Sequence, residues 1–169
     1  MNMTTDAIKQ QAARIRVIVF DVDGVLTDGK LYLGPHDEEI KTMSIKDGLG
    51  LKRLQGTGIT PAVISGRPSA PIAARLHALG VEHIYLDSRD KLIDFKALLA
   101  ELGIGPEQAA FMGDDLPDLP VMRRAGLALA VADAIPDVRQ AAHWVSQARG
   151  GEGAVREACE MMISAHSAH

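Results

Sequence analysis

Two aspartates lie two residues apart directly after a short apolar run. Asp21 and Asp23 follow residues 17–20, and Gly24 permits a sharp turn after them. In an extended segment, residues i and i+2 point to the same side, so we expect both carboxyl groups to reach one substrate. One can attack as a nucleophile while the other exchanges a proton with the leaving oxygen. Taken alone, the pair is also compatible with a solvated turn.

A second pair of carboxylates, Asp114 and Asp115, follows a later apolar run. Carboxylates gathered at one place repel one another unless a cation lies between them, and Mg²⁺ prefers oxygen ligands. A bound Mg²⁺ would also bridge a carboxylate nucleophile to a phosphoryl oxygen. The pair could instead cap the helix predicted to follow it, and capping by Asp118 or Asp115 is compatible with metal binding by Asp114.

Hydrogen-bond donors and a lysine follow two other apolar runs. Ser65 offers a hydroxyl, and Gly66 and Arg67 offer backbone amides. Lys91 begins a helical pattern, where the helix N-terminus already favours an anion. Such donors are able to bind a phosphoryl group, with Gly66 and Arg67 as substrate contacts. The alternatives are a turn with a surface arginine and a solvated helical lysine.

Short apolar runs alternate with helical patterns along the chain. The expected strands are residues 17–20, 62–64, 83–86, 109–112, 127–131 and 144–145. The expected helices are residues 48–55, 68–79, 91–102, 119–125, a short one from 136, and 154–163. This alternation predicts an α/β fold with a doubly wound, Rossmann-like parallel sheet. Because ligands in such sheets bind beyond the carboxyl ends of the strands, the candidate residues are expected to meet at one edge.

Residues 30–45 break the alternation. Two short extended stretches flank Gly34-Pro35-His36-Asp37, which supplies turn residues, so we predict a β-hairpin flap after the first strand. The flap is too small to be a cap domain, and an isolated hairpin is only marginally stable, so we expect a second subunit to pack on it. Residues 150–153 predict a flexible joint and residues 164–169 a polar tail, within a single domain over 1–169.

Composition narrows the possible partners. With 169 residues, 47% of them apolar and 24% charged, the chain is typical of a one-domain globular protein. A net charge of −4 gives no basic footprint, so nucleic acid is not expected. No apolar run approaches the roughly 20 residues that span a bilayer, so no membrane partner is expected. One cysteine excludes an internal disulfide framework, and we expect a cytoplasmic protein.

Four motifs in order resemble the haloacid-dehalogenase-like superfamily of phosphatases. Residues 21–27 match its signature motif, and Ser65, Lys91 and residues 113–115 are similar to its second, third and fourth motifs. Any one of these motifs is weak evidence, but four in order, each after a predicted strand, are specific. For Ser65 and Lys91, the resemblance implies contacts with phosphoryl oxygens.

The resemblance also implies roles for the aspartates. Asp21 would form an aspartyl-phosphate, and Asp23 would act as general acid and then as general base on water. Mg²⁺ would be bound by Asp21, by the backbone carbonyl of Asp23 and by the side chain of Asp114. Asp115 would be an outer or water-bridged partner of the metal.

Longer stretches resemble the 3-deoxy-D-manno-octulosonate 8-phosphate phosphatase family, a capless branch of the superfamily. These stretches are residues 28–29, 46–48, 64–67, 113–118, 130–134 and 149–157. The resemblance implies a small phosphorylated sugar acid as substrate, a place in lipopolysaccharide sugar synthesis, and a homotetramer with active sites shared between subunits. It also makes Lys46 and Arg149 candidate contacts of a substrate carboxylate.

Two other functions stay open at the level of sequence. The same catalytic edge would suit another keto-sugar acid phosphate, such as a nonulosonate 9-phosphate. A non-catalytic, tetramer-forming domain of the same superfamily is a second alternative. Loss of Asp21 or Asp114 would favour that alternative, and both residues are present.

Overall fold

The computed structural model describes residues 3–167 as an α/β structure. The strands are β1 (Val17–Phe20), β2 (Tyr32–Leu33), β3 (Glu39–Ile40), β4 (Thr60–Ile64), β5 (His83–Tyr85), β6 (Ala109–Gly113), β7 (Leu127–Ala130) and β8 (Trp144–Val145). The helices are α1 (Thr5–Ala12), α2 (Ile45–Gln55), α3 (Ala70–Ala78), α4 (Lys91–Leu102), α5 (Leu119–Met122), α6 (Pro136–Ala141) and α7 (Ala154–Ser167). Within residues 3–167, no helix is long and apolar enough to cross a membrane.

Six of the strands form a parallel sheet in the order β5-β4-β1-β6-β7-β8. The chain moves outwards from β1 to β5, then crosses back to β6 and moves outwards in the other direction. Since parallel crossovers are right-handed, the two directions place helices on opposite faces of the sheet. The sheet is therefore doubly wound, as predicted, and the order reverses between β1 and β6, where ligands bind in such folds.

The central strands of the six-stranded sheet are apolar throughout because helices cover both of its faces. All four residues of β1, all five of β6 and all four of β7 are buried. The helix layer meets the sheet through aromatic packing as well, since the rings of Phe95 and Phe111 lie edge to face with centroids 6.5 Å apart. Near-continuous apolar runs thus identified the buried strands of this sheet.

Helix α4 has the bounds that its sequence predicts. Asp90 precedes it, and its side chain accepts hydrogen bonds from the backbone amides of Leu92 and Ile93. Gly103 follows it in the left-handed conformation, with φ of 64°. The two caps fix where the helix begins and ends. The cap at Asp90 makes Lys91 the first residue of the helix.

Several helices differ from the sequence prediction, among them α5, which ends at Met122 rather than at residue 125. Helix α1 was not predicted; Thr4 caps it, and its one buried residue is Ala12, so its apolar pattern is weak. Helix α2 begins earlier than predicted because Ser44 caps it. The prediction of a polar tail from residue 164 is wrong for residues 164–167: α7 continues to Ser167 because Ala165 packs on the core. Residues 168–169 of that tail lie outside the described part of the chain.

The predicted hairpin is present, with shorter strands. β2 and β3 pair antiparallel, with Tyr32 opposite Ile40, around a turn at Pro35–Asp37. An isolated bridge between Thr27 and Met43 ties its base to the segment after β1. Among residues 3–167 this hairpin is the only sheet besides the six-stranded one.

A buried aspartate joins α2 to the start of α7. Asp47 is fully buried, and its Oδ1 accepts a hydrogen bond from the backbone amide of Arg156 at 2.8 Å. Its Oδ2 has no hydrogen-bond partner among residues 3–167, and burial raises the pKa of the carboxyl group. Asp47 therefore caps a distant helix, at the joint made by residues 150–153.

We predict that Asp47→Ala lowers the free energy of unfolding by about 1–3 kcal/mol, because it leaves a buried amide without its acceptor. Asp47→Asn keeps an acceptor oxygen at the same place and should lose less stability. Urea unfolding of the two variants and the parent measures the difference. Equal stability of the alanine variant and the parent would show that the cap contributes nothing.

Candidate active site

Three charged side chains meet in a buried cluster at the carboxyl edge of the sheet. The Lys91 Nζ lies 2.7 Å from Oδ1 of Asp21, which follows β1, and 2.7 Å from Oδ1 of Asp118. Each of the three residues is at most 9% exposed. Burial alone would lower the pKa of Lys91, but the charges of Asp21 and Asp118 outweigh it and raise that pKa. The lysine is therefore held as a cation between two carboxylates.

Asp118 holds this cluster together, and sequence reasoning missed that role. Its Oδ2 accepts hydrogen bonds from the backbone amides of Asp114 at 2.9 Å and Asp115 at 3.3 Å. Gly113 has no room for a Cβ because one would collide with the Asp118 side chain. The sequence indicated only a possible cap here. The sequence feature that could have indicated this role is an acidic residue four positions after Asp114. A side chain at that spacing can fold back onto the loop that carries Asp114.

The cluster fits a hard cation. Carboxylate oxygens of Asp21, Asp114 and Asp118 lie within 4.8 Å of one another. Oδ1 of Asp114 is buried and has no hydrogen-bond partner among residues 3–167. Burial, and then repulsion from the other carboxylates, raises the pKa of Asp114 to about 8. Since Asp118 already bonds Lys91 and two amides, Asp21 and Asp114 are the carboxylates with oxygens to spare for Mg²⁺.

Asp21, the candidate nucleophile, is also subject to repulsion between like charges. Burial, with repulsion from Asp118, raises the pKa of Asp21 to about 6, although Lys91 acts in the opposite direction. A second positive charge beside Asp21 would favour its ionised form.

The backbone after Asp21 is not a continued strand. Residues 22–26 form a tight π-helical turn, interrupted at Asp23 and at Gly24, which has φ of 94°. A Cβ at Gly24 would collide with the carboxylate of Asp114. The expectation of an extended segment from Asp21 to Asp23 is therefore wrong. The two carboxylates have different partners.

Asp23 belongs to a second, outer cluster. Its Oδ1 lies 2.8 Å from the Nζ of Lys41, and its Oδ2 lies 4.0 Å from the Nε of Arg67. Arg67 also donates a hydrogen bond to Glu39 at 2.8 Å. Lys41 and Glu39 come from the hairpin, and the sequence analysis did not single them out. An alternating charge pattern, Glu39-Ile40-Lys41, was the available signal.

Ser65 and Gly66 are the remaining predicted phosphate-binding groups, and Gly66 lines a cleft together with Lys91. Ser65 is buried, and its hydroxyl accepts a hydrogen bond from the backbone amide of Arg67 at 3.4 Å. Gly66 and Lys91 line an open cleft of about 460 Å³, with Ser88, Arg89, Asp90, Leu92, Pro117 and Pro120. The cleft has room for a phosphorylated small molecule beside the buried cluster.

Three predicted residues lie outside both clusters. Asp115 is exposed and accepts a hydrogen bond from the backbone amide of Leu116 at 2.7 Å. Lys46 is exposed at the start of α2. Arg149 is exposed and lies 3.3 Å from the carboxylate of Asp133.

Gly150 connects the joint before α7 to the turn formed by residues 22–26. A Cβ at this position would collide with the backbone carbonyl of Gly24. The neighbouring Gly151 donates a backbone hydrogen bond to Val25 at 2.9 Å. Residues 150–151 therefore support the turn that carries Asp23 and Gly24.

We predict that the metal-free protein becomes less stable as pH rises between about 4 and 8. Asp114 has its pKa raised from 3.8 to about 8, so in this window the folded state binds a proton that the unfolded state has lost. Mg²⁺ offsets the same repulsion, so its stabilising effect should grow with pH. Thermal unfolding with chelator and with Mg²⁺, from pH 5 to pH 8.5, measures both effects.

Asp114→Asn should abolish most of the Mg²⁺-dependent rise in Tm. Asp137→Asn, which changes an exposed aspartate on α6, should keep that rise. A rise in Tm that persists in Asp114→Asn, or that does not change with pH, would contradict the metal site.

Comparison with known proteins identifies relatives of this chain. Residues 80–157 match the family model for haloacid dehalogenase-like hydrolases. The chain is 44% identical to 3-deoxy-D-manno-octulosonate 8-phosphate phosphatase of Yersinia pestis over 95% of this chain and 86% of that protein. The crystal structure of the Y. pestis protein has a TM-score of 0.93 to this one, with the same coverage of both chains.

A further solved relative carries ligands. The Moraxella catarrhalis 3-deoxy-D-manno-octulosonate 8-phosphate phosphatase, in complex with magnesium, phosphate and KDO, has a TM-score of 0.94 at 38% identity, covering 97% of this chain and 94% of that one. A probable phosphatase from Pseudomonas syringae is 52% identical, with a TM-score of 0.92 and coverage of 94% and 90%. This chain therefore belongs to the 3-deoxy-D-manno-octulosonate 8-phosphate phosphatase family of haloacid dehalogenase-like hydrolases.

Proposed function

We propose that this protein hydrolyses 3-deoxy-D-manno-octulosonate 8-phosphate to the free sugar acid and phosphate, with residues 1–169 acting as a single phosphatase domain. The observation that carries the proposal is the buried contact of Lys91 with Asp21, beside Asp114, at the point where the strand order reverses. Relatives of closely similar structure bear this activity in their names. The reaction would serve lipopolysaccharide sugar synthesis, which we place in the cytoplasm.

In the first step, a carboxylate oxygen of Asp21 attacks the phosphorus. Lys91 lies against Oδ1, which leaves Oδ2 as the attacking oxygen. The bond between phosphorus and the sugar oxygen breaks, and Asp23 donates a proton to that oxygen. The products of this step are the free sugar acid and an aspartyl-phosphate.

In the second step, water attacks the phosphorus of the aspartyl-phosphate. Asp23, now a carboxylate, accepts the proton of that water, the bond to Asp21 breaks, and phosphate leaves. The Ser65 hydroxyl, the Lys91 ammonium and the backbone amides of Gly66 and Arg67 bind the phosphoryl oxygens in both steps. The enzyme returns to its starting state with Asp23 protonated.

Mg²⁺ would be bound by Asp21, the backbone carbonyl of Asp23 and the side chain of Asp114, with Asp115 as an outer, water-bridged partner. When bound, it supplies positive charge to the nucleophile and to the phosphoryl oxygens. The unpartnered, buried Oδ1 of Asp114 supports this assignment.

Substrate contacts beyond the phosphate would come from exposed cations. Lys46 and Arg149 lie outside the buried cluster and are exposed. Either could turn towards a carboxylate of the sugar acid, and Arg149 would leave its contact with Asp133 to do so. A neighbouring subunit is the natural source of further contacts, because the cleft beside Lys91 is open.

A homotetramer with shared active sites is part of the proposal. The hairpin and the start of α2 expose large apolar side chains: Leu33 is 77% exposed, Ile40 57% and Ile45 79%. Apolar side chains clustered in this way are typical of a surface that another protein covers. Assembly through the hairpin would bury them and place a second subunit next to the cleft.

We predict that purified protein with Mg²⁺ releases phosphate from 3-deoxy-D-manno-octulosonate 8-phosphate, and that Asp21→Asn abolishes the release because an amide cannot attack phosphorus. A phosphate-release assay over sugar acid phosphates measures both. Asp137→Asn, an exposed aspartate on α6, is the control and should keep full activity.

Addition of a chelator should stop the reaction, and Mg²⁺ should restore it. Activity that survives in Asp21→Asn would refute the nucleophile. A higher kcat/KM on a nonulosonate 9-phosphate would show that this compound is the preferred substrate. A folded tetramer without activity on any sugar acid phosphate would favour a non-catalytic domain.

We predict that Leu33→Glu combined with Ile40→Glu dissociates the tetramer, because two charges on each hairpin would be buried without partners in the assembly. Light scattering after size-exclusion chromatography measures the molecular mass. Lys30→Glu, an exposed residue at the base of the hairpin, is the matched control. A double variant that stays tetrameric would place the interface elsewhere.

A further inference from the structure

We propose that Lys41 is a positioning residue that fixes the carboxyl group of Asp23 and so couples the hairpin to proton transfer. This inference rests on the proposed function, in which Asp23 exchanges the proton with the leaving oxygen. No motif in the sequence indicated such a role for Lys41. The contacts of its ammonium group indicate it.

The first observation is the burial of Lys41. The hairpin is otherwise exposed: the preceding Ile40 is 57% exposed, and Leu33 is 77% exposed. The Lys41 side chain is only 4% exposed and runs inwards, beside a small cavity of about 200 Å³ lined in part by Met43 and Ile72. A buried ammonium group is costly unless opposite charges compensate it.

Two carboxylates compensate the charge of Lys41. Its Nζ lies 2.8 Å from Oδ1 of Asp23 and 3.3 Å from Oε1 of Glu39. The angles fall short of aligned hydrogen bonds, so the contacts act as ion pairs. Lys41 thereby holds one oxygen of Asp23 by charge, from a segment 18 residues further along the chain.

The two oxygens of Asp23 are not equivalent. Oδ1 faces Lys41, whereas Oδ2 is 4.0 Å from the Nε of Arg67 and lies outside hydrogen-bond distance. A carboxyl group carries its proton on one oxygen, and a cation against Oδ1 leaves Oδ2 as the oxygen that bears it. Lys41 therefore decides which oxygen of Asp23 is offered to the leaving group.

Glu39 keeps the arrangement balanced. Its Oε1 lies near Lys41, and its Oε2 accepts a hydrogen bond from Arg67 at 2.8 Å. Four side chains of alternating charge thus link the hairpin to the turn formed by residues 22–26: those of Arg67, Glu39, Lys41 and Asp23. The Thr27–Met43 bridge anchors the base of the hairpin on the same turn. A shift of the hairpin would consequently move Lys41 relative to Asp23.

The test compares two substrates that differ in their need for a proton. The alkoxide leaving group of 3-deoxy-D-manno-octulosonate 8-phosphate must be protonated, whereas the phenolate of p-nitrophenyl phosphate leaves without a proton. The value of kcat/KM covers events up to departure of the leaving group, so it isolates this step. Lys41→Met, of similar length but uncharged, should lower kcat/KM on the sugar phosphate by about 10- to 100-fold, as misplaced catalytic groups do, with little change on p-nitrophenyl phosphate.

Controls separate positioning from a structural role. Lys30→Met removes an exposed lysine of the same hairpin segment and should change neither value. Lys41→Arg restores the charge and should recover part of the sugar phosphate activity. Lys41→Gln is measured alongside, so that the ratio between substrates is obtained even where the methionine variant does not fold, and Tm reports the folding of each.

An equal loss on both substrates would overturn the inference, because a distorted site affects every substrate. Unchanged kcat/KM on both would overturn it as well. Inactivity of the parent protein on both substrates would instead refute the proposed function, and with it this role of Lys41. A selective loss on the sugar phosphate, with partial recovery in Lys41→Arg, supports the inference.

Discussion

Repulsion among three carboxylates at one edge of the sheet is the constraint on which the rest of the site depends. Asp21, Asp114 and Asp118 come within 4.8 Å of one another, and a single ammonium group, that of Lys91, lies among them. One positive charge cannot neutralise three negative charges, and burial together with this repulsion raises the pKa of Asp114 to about 8. A divalent cation bound by Asp21 and Asp114 would supply the missing positive charge.

The fold resists this repulsion because the aspartates stand on elements that cannot move apart. β1 and β6 are paired along their whole length, from Val17 opposite Ala109 to Phe20 opposite Met112. Asp21 and the loop that carries Asp114 therefore leave the sheet side by side. Gly24 and Gly113 then let the backbone approach the carboxylates of Asp114 and Asp118, where any side chain would collide. The buried apolar core thus holds charges that would otherwise separate.

The sequence predicted the sheet and the members of the buried cluster that follow strands directly. Apolar runs are reliable where both faces are covered, and the edge position of Asp21 and Asp114 follows from parallel pairing alone. Asp118 and Lys41 were missed because their roles depend on how a loop and a hairpin fold back in three dimensions. The i, i+2 argument for Asp23 assumed an extended segment, whereas the strand ends at Phe20 and a tight turn follows. Helix α1 was missed because it buries one residue.

The two clusters differ in what maintains them. The inner cluster of Asp21, Lys91 and Asp118 is set by strands and a capped helix, so it needs no part of the hairpin. The outer cluster around Asp23 takes Glu39 and Lys41 from a two-stranded hairpin, which is marginally stable by itself. Since the hairpin also exposes Leu33 and Ile40, whatever covers those side chains stabilises the outer cluster too. In the proposed mechanism, the nucleophile and the metal site are thus properties of the subunit, whereas proton transfer depends on the environment of the hairpin.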